Sequence, residues 1–77
     1  MSEYRYTIIL HPDPVEGGYT VTVPALPGRV TQGETLEKAI AMAKDAIRLY
    51  VESLRADGEA IPEEREHPQA LVVEVAA

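Results

Sequence analysis

Prolines and glycines divide the first half of this sequence into segments that are too short for a long helix. They are Pro12, Pro14, Gly17, Gly18, Pro24, Pro27, Gly28 and Gly33. Proline lacks the amide hydrogen that helices and ladders use, and glycine accepts the backbone angles of tight turns. The residues between these breaks alternate apolar and polar side chains, as strands do. The first half therefore predicts hairpins of short strands.

The alternation predicts three strands. The first covers residues 4–10 and the second covers 19–23, where Pro24 ends it. The proline- and glycine-rich stretch 11–18 favours a turn, so these two strands form a hairpin. After a second turn at Pro27 and Gly28, a short third strand is predicted at about 29–32.

A single long helix follows Gly33. Its apolar residues recur at helical spacing and are Leu36, Ile40, Ala43, Ile47, Tyr50, Val51 and Leu54. The Thr35 hydroxyl can cap the first turn, and Glu34 and Glu37 suit the positive end of the helix dipole. Gly58 accepts the left-handed conformation that ends a helix. We therefore predict a helix from about 35 to 56.

The residues after the helix predict an exposed linker over 59–69, with Ile61 against the core. They also predict a last strand over 71–75. The resulting order is β-β-β-α-β. It predicts the α+β class: a two-layer domain spanning 1–77, with a mostly antiparallel sheet and one helix packed on one face.

Size and charge limit the possible functions. A chain of 77 residues buries only about 60% of its unfolded surface, so association would add stability. We expect a homo-oligomer, a dimer or larger, in which the last strand or the first hairpin pairs across chains. The net charge of −6 repels phosphate backbones, so we expect no direct nucleic-acid binding. No signal peptide and no apolar run of ~20 residues is visible, which predicts a soluble cytoplasmic protein without membrane contact.

No arrangement of residues in the sequence indicates catalysis. His11 and His67 each lie beside a proline, without a cysteine or second histidine at metal-ligand spacing. Ser2 and Ser53 have no histidine placed to activate them. The glycines do not follow a phosphate-loop pattern. We therefore expect no enzymatic activity, no metal and no cofactor.

The order of turn and cap residues resembles the HicB family of antitoxins. That family has a glycine-led aromatic strand, a proline, a Leu-Pro-Gly turn, a polar strand, a glycine, an acid-Thr helix start and an alanine-rich helix that ends in an aromatic residue. The matching positions are Gly18, Tyr19, Pro24, Leu26, Pro27, Gly28, Gly33, Glu34, Thr35, Leu36, Glu37, Ala39, Ala43 and Tyr50. The resemblance covers about residues 4–58.

The resemblance implies a partial RNase H-like fold and a binding function. HicB proteins bind HicA toxins, which are small basic ribonucleases that cleave mRNA with a histidine, and cover their active surface. An acidic chain complements such a partner. Two departures are that Arg29 stands where family members often carry cysteine, and that many members continue into a C-terminal DNA-binding domain, which we do not expect in this short form. Operator binding by this chain alone is therefore not expected.

We expect the toxin contact at exposed acidic residues of the helix and the linker. These are Glu37, Asp45, Glu52, Glu63, Glu64 and Glu66. Two alternatives stay open. One is an orphan, non-enzymatic oligomeric domain with a small-molecule or other protein partner, and the other is an enzymatic relic of the RNase H-like fold.

Overall fold

The computed structural model describes residues 3–28 and 30–77. The elements are β1 (Ile9–Pro12), β2 (Tyr19–Thr22), β3 (Val30–Gly33) and α1 (Leu36–Ala56). The strands form one antiparallel sheet in the order β1-β2-β3, and α1 packs against β2 and β3. The predicted α+β class, with an antiparallel sheet and one helix, is confirmed.

The core lies between β2 and the first half of α1. Val21 and Ala39 are fully buried and Ala43 is 1% exposed, with Ile8 and Leu10 packed against them. The two alanines lie one turn apart on the same face of α1. Because their side chains are small, the helix backbone lies close to the sheet.

The start of α1 lies directly over the last residue of β3. A Cβ atom added to Gly33 would lie 2.4 Å from the Ala39 backbone nitrogen, so only glycine fits there. A Cβ on Gly18, whose φ is +78°, would lie 2.6 Å from the Gly33 carbonyl oxygen. The predicted cap is confirmed, since the Thr35 Oγ1 accepts from the Lys38 backbone nitrogen at 3.1 Å. These contacts join the sheet to the helix.

The strand bounds differ from the prediction at the start of the chain. We predicted a strand over 4–10, but β1 begins at Ile9, because β2 supplies ladder partners only from Ile9↔Thr22 to Pro12↔Tyr19. β3 begins at Val30. The predicted first residue of that strand, Arg29, lies outside the described residues.

The chain does not form the predicted strand over 71–75. Leu71, Val72, Val73 and Val75 are 78%, 102%, 75% and 78% exposed, respectively, and the segment has no ladder partner among the described residues. A segment with alternating apolar and polar residues forms a strand only when another strand is available to pair with it. The described residues of a single copy supply no such strand for 71–75.

The linker is held against the segment that precedes β1. The Tyr6 hydroxyl donates to the Pro62 carbonyl oxygen at 2.5 Å. The backbone nitrogen and the hydroxyl of Thr7 donate to the two Glu64 carboxylate oxygens at 2.9 and 2.5 Å, and the His67 ring contacts the same carboxylate. The predicted exposed linker is therefore wrong at Glu64, whose side chain is only 5% exposed.

The environment of Glu64 favours its charged form. Burial by itself raises the pKa of this carboxyl group, but hydrogen bonds from Thr7 and His67 outweigh it and lower the pKa to about 2, from 4.5. Since the pKa in the folded chain is the lower one, the contact stabilises the fold fully above pH 4.5. This contribution decreases as the pH falls from 4.5 toward 2.

We expect the free energy of unfolding to decrease between pH 4.5 and pH 2, and Glu64→Gln to remove much of this dependence. At pH 7 this variant should lose about 1 kcal/mol, because a neutral amide accepts hydrogen bonds more weakly than a carboxylate. Urea denaturation at pH 7, 4.5, 3 and 2 measures both effects. The control is Glu63→Gln, an exposed neighbour. An equal pH dependence in the two variants would contradict this account.

We expect Gly33→Ala to destabilise the chain by about 3 kcal/mol, because the new methyl group overlaps the backbone of α1. The matched control is Gly17→Ala, where φ is +81° but no atom lies within 4 Å. That change should cost only about 1 kcal/mol, from backbone strain. Thermal unfolding of both variants measures the difference. If Gly17→Ala costs as much as Gly33→Ala, the close helix contact is not the cause.

Candidate partner-binding surfaces

Two of the predicted contact residues lie on either side of an arginine on α1. The Arg48 Nη2 atom is 2.6 Å from an Asp45 carboxylate oxygen, and its Nη1 atom is 3.3 Å from a Glu52 oxygen. The hydrogen bond that Arg48 donates to Asp45, followed by the charges of both carboxylates, raises the pKa of Arg48. Asp45, Arg48 and Glu52 together therefore present one net negative charge, because the guanidinium offsets one of the two carboxylates.

Glu37 lies apart from that group, in the first turn of α1. It is exposed, and no ion pair joins it to any residue that the structure describes. With a rise of 1.5 Å per residue, it lies about 22 Å along the helix from Glu52. Of the three predicted helix acids, Glu37 is therefore the one whose charge has no ion-pair partner among the described residues.

The three predicted acids of the linker have different environments. Glu63 is exposed and lies 3.7 Å from the Arg65 Nε atom. Glu66 is exposed and has no ion pair within residues 3–28 and 30–77. Glu64 points inward onto Thr7. The linker therefore offers Glu63 and Glu66 to a partner, while Glu64 fastens the linker.

An acidic hollow that we did not predict from the sequence lies at the end of the β1–β2 hairpin. It has a volume of about 300 Å³, and its acidic lining residues are Asp13, Glu16 and Glu34. One Asp13 oxygen accepts from the backbone nitrogens of Val15 and Glu16, which holds the turn. In the described part of the chain, no three acidic or histidine residues are arranged to hold a metal ion.

The ladder register explains why this hollow was missed. Tyr19 pairs with Gly33, which brings Glu34 beside a turn that is 18 or more residues away in sequence. Asp13 and Glu16 are recognisable as a local pair from their spacing alone. Adding Glu34 to them requires knowing which residues pair across β2 and β3.

A second cavity that we did not predict runs between residues 4–8 and α1. It has a volume of about 690 Å³. Its apolar lining is Tyr6, Ile8, Ile40, Ile47 and Val51, and its charged lining is Arg5, Lys44, Arg48, Glu52 and Arg55. We call it the basic groove, because it contains four of the seven lysine and arginine residues of the chain. The helical spacing in the sequence indicates which residues lie on the same face of α1. It does not indicate that the segment before β1 lies beside that face.

The Tyr4 and Tyr6 rings both line the basic groove and stack on each other. Their centroids are 6.5 Å apart and their planes differ by 10°. Tyr6 also contacts the linker, because its hydroxyl donates to the Pro62 carbonyl oxygen.

Within the described ranges, no helix is both long enough and apolar enough to cross a membrane.

Comparison of the sequence with known proteins finds several relatives of this chain. A UPF0150 protein of Thermoplasma acidophilum is 48% identical over 69 residues, which cover 90% of this chain and 96% of the relative. A UPF0150 protein of Synechocystis is 43% identical over 61 residues, covering 79% and 76% of the two chains. The antitoxin HicB of Escherichia coli is 43% identical over 58 residues, which cover 75% of this chain but only 41% of that protein.

The family comparison covers most of the chain. Residues 6–73 match the family described as HicB-like antitoxin of bacterial toxin–antitoxin system. The matched range includes β1, β2, β3, α1 and the linker. The chain therefore belongs to the HicB-like antitoxin family.

Proposed function

We propose that this chain binds a basic HicA-type, mRNA-cleaving toxin and neutralises it by covering its active surface. The observation that carries the proposal is the match to HicB-like antitoxins over residues 6–73. It is supported by the similarity of 75% of the chain to proteins named antitoxin HicB. The net charge of −6 suits a basic partner, because opposite charges speed encounter and disfavour wrong partners.

The exposed acids are the proposed contacts. Glu37 and Glu66 contribute most, because each is exposed and has no ion pair among the described residues. Asp45, Glu52 and Glu63 are already paired with arginines, so a toxin cation must compete for them. Glu64 contributes indirectly, by holding the linker that carries Glu63 and Glu66.

Masking requires no chemical step from this chain. The toxin loses activity because its active surface is covered and RNA is excluded, so we propose a binding protein rather than an enzyme. Since the contacts are exposed charges, salt should screen them over about 8–10 Å at ordinary ionic strength.

Co-expression with the basic HicA-type protein encoded by an adjacent reading frame tests the proposal. We expect this chain to restore growth and to co-purify with the toxin. The purified complex should leave a reporter mRNA intact, while the toxin alone cleaves it. Continued growth arrest together with no complex would overturn the proposal. RNA cleavage by the purified chain alone would show instead that it is an enzyme.

Charge reversal tests the contact surface. We expect Glu37→Lys combined with Glu66→Lys to weaken toxin binding at least tenfold, because two attractive charges become repulsive. The control is Glu3→Lys combined with Glu16→Lys, which changes the net charge equally at other exposed positions. Isothermal titration at two salt concentrations measures the affinities. If the control weakens binding as much, the effect comes from net charge or from the acidic hollow, and not from the proposed surface.

A further inference from the structure

We propose that the basic groove binds residues 71–75 of a second copy of this chain, so that two copies exchange these segments reciprocally. The proposal concerns self-association and is independent of the toxin. It combines two features of the structure: an apolar segment with no ladder partner among the described residues of its own chain, and a groove with an apolar floor and a cationic rim.

The segment has the composition of an element that is buried against a partner. Leu71, Val73 and Val75 alternate with Val72 and Glu74, so an extended chain presents three apolar side chains on one face. Each of the three is at least 75% exposed in the single chain. Soluble proteins seldom leave such contiguous apolar surface uncovered.

The basic groove matches this segment in both polarity and charge. Ile8, Ile47 and Val51 provide apolar floor, and Arg5, Lys44 and Arg55 lie on the rim. These three rim cations form no ion pair with any described residue. A strand formed by residues 71–75 can place its apolar side chains on the floor and the Glu74 carboxylate near the rim cations. A basic toxin would be repelled from this rim, which distinguishes the basic groove from the proposed toxin surface.

The path of the chain favours a second copy over the same copy. Tyr6 contacts Pro62 and Thr7 contacts Glu64, so the linker passes the start of the groove in the direction of β1. Residues 71–75 do not fill the groove of their own chain, because Leu71, Val73 and Val75 are each at least 75% exposed. The molecule is elongated, 51 × 27 × 20 Å, with a radius of gyration of 14.7 Å. A compact chain of this length has a radius of about 11.5 Å.

Reciprocal exchange also explains how both grooves can be filled. In a two-fold dimer, each copy donates one segment and receives one, so no groove and no segment stays unpartnered. Open-ended association is thereby avoided.

Sedimentation equilibrium of the full chain tests self-association. We expect a dimer, and we expect Val73→Lys to raise its dissociation constant at least tenfold. The matched control is Val15→Lys at the hairpin turn, where Val15 is 90% exposed, so neither change disturbs the core. The control should leave the dimer unchanged. A monomeric wild-type chain, or equal effects of the two substitutions, would overturn the proposal.

Cysteine crosslinking tests the geometry, because the natural chain contains no cysteine. We expect a mixture of Lys44→Cys chains and Val73→Cys chains to form a disulfide-linked heterodimer on mild oxidation. A mixture of Lys44→Cys and Val15→Cys chains should not. In the double variant Lys44→Cys/Val73→Cys, a crosslink within one chain would show that the segment folds back onto its own groove, which contradicts the exchange. Neither experiment includes a toxin, so its failure leaves the proposed antitoxin function to be judged separately.

Discussion

The contact between α1 and Gly33 is the constraint on which the rest of the structure depends. The helix backbone occupies the space that a side chain at residue 33 would fill. This brings Ala39 onto Val21 and aligns α1 over β3 and β2. Because α1 lies close to β3, its second half is separated from the segment that precedes β1. The basic groove is the space that remains.

The local features of this fold could be predicted from the sequence, because each depends on a few neighbouring residues. The Thr35 cap, the end of α1 near Gly58 and the two turns follow from the chemistry of those residues. The start of β1 depends instead on how far β2 reaches, and the inward position of Glu64 depends on Thr7, which is 57 residues away. The same limitation applies to the surfaces. The acidic residues could be recognised, but their pairing with arginines and the formation of the acidic hollow required the register and the packing.

The charges of this acidic chain are segregated, and this separation distinguishes the surfaces of the two proposed partners. Arg5, Lys44 and Arg55 gather beside an apolar floor, while Glu37 and Glu66, elsewhere on the surface, form no ion pair with any residue that the structure describes. A cationic protein and an apolar segment with a carboxylate would therefore be directed to different surfaces. A net charge of −6 describes only the sum and conceals this arrangement.

The contact between Glu64 and Thr7 has a consequence for aggregation. An edge strand presents free amide groups onto which another chain can add, and sheets can grow through such edges without limit. At Thr7 the amide hydrogen is already taken by a carboxylate from the same chain. An incoming strand would have to displace the charged Glu64 side chain from the Thr7 amide. The displaced carboxylate would then lie close to the backbone of the incoming strand. The Glu64 carboxylate thus occupies one backbone donor just before β1, and an added strand could not pair with that donor without displacing it.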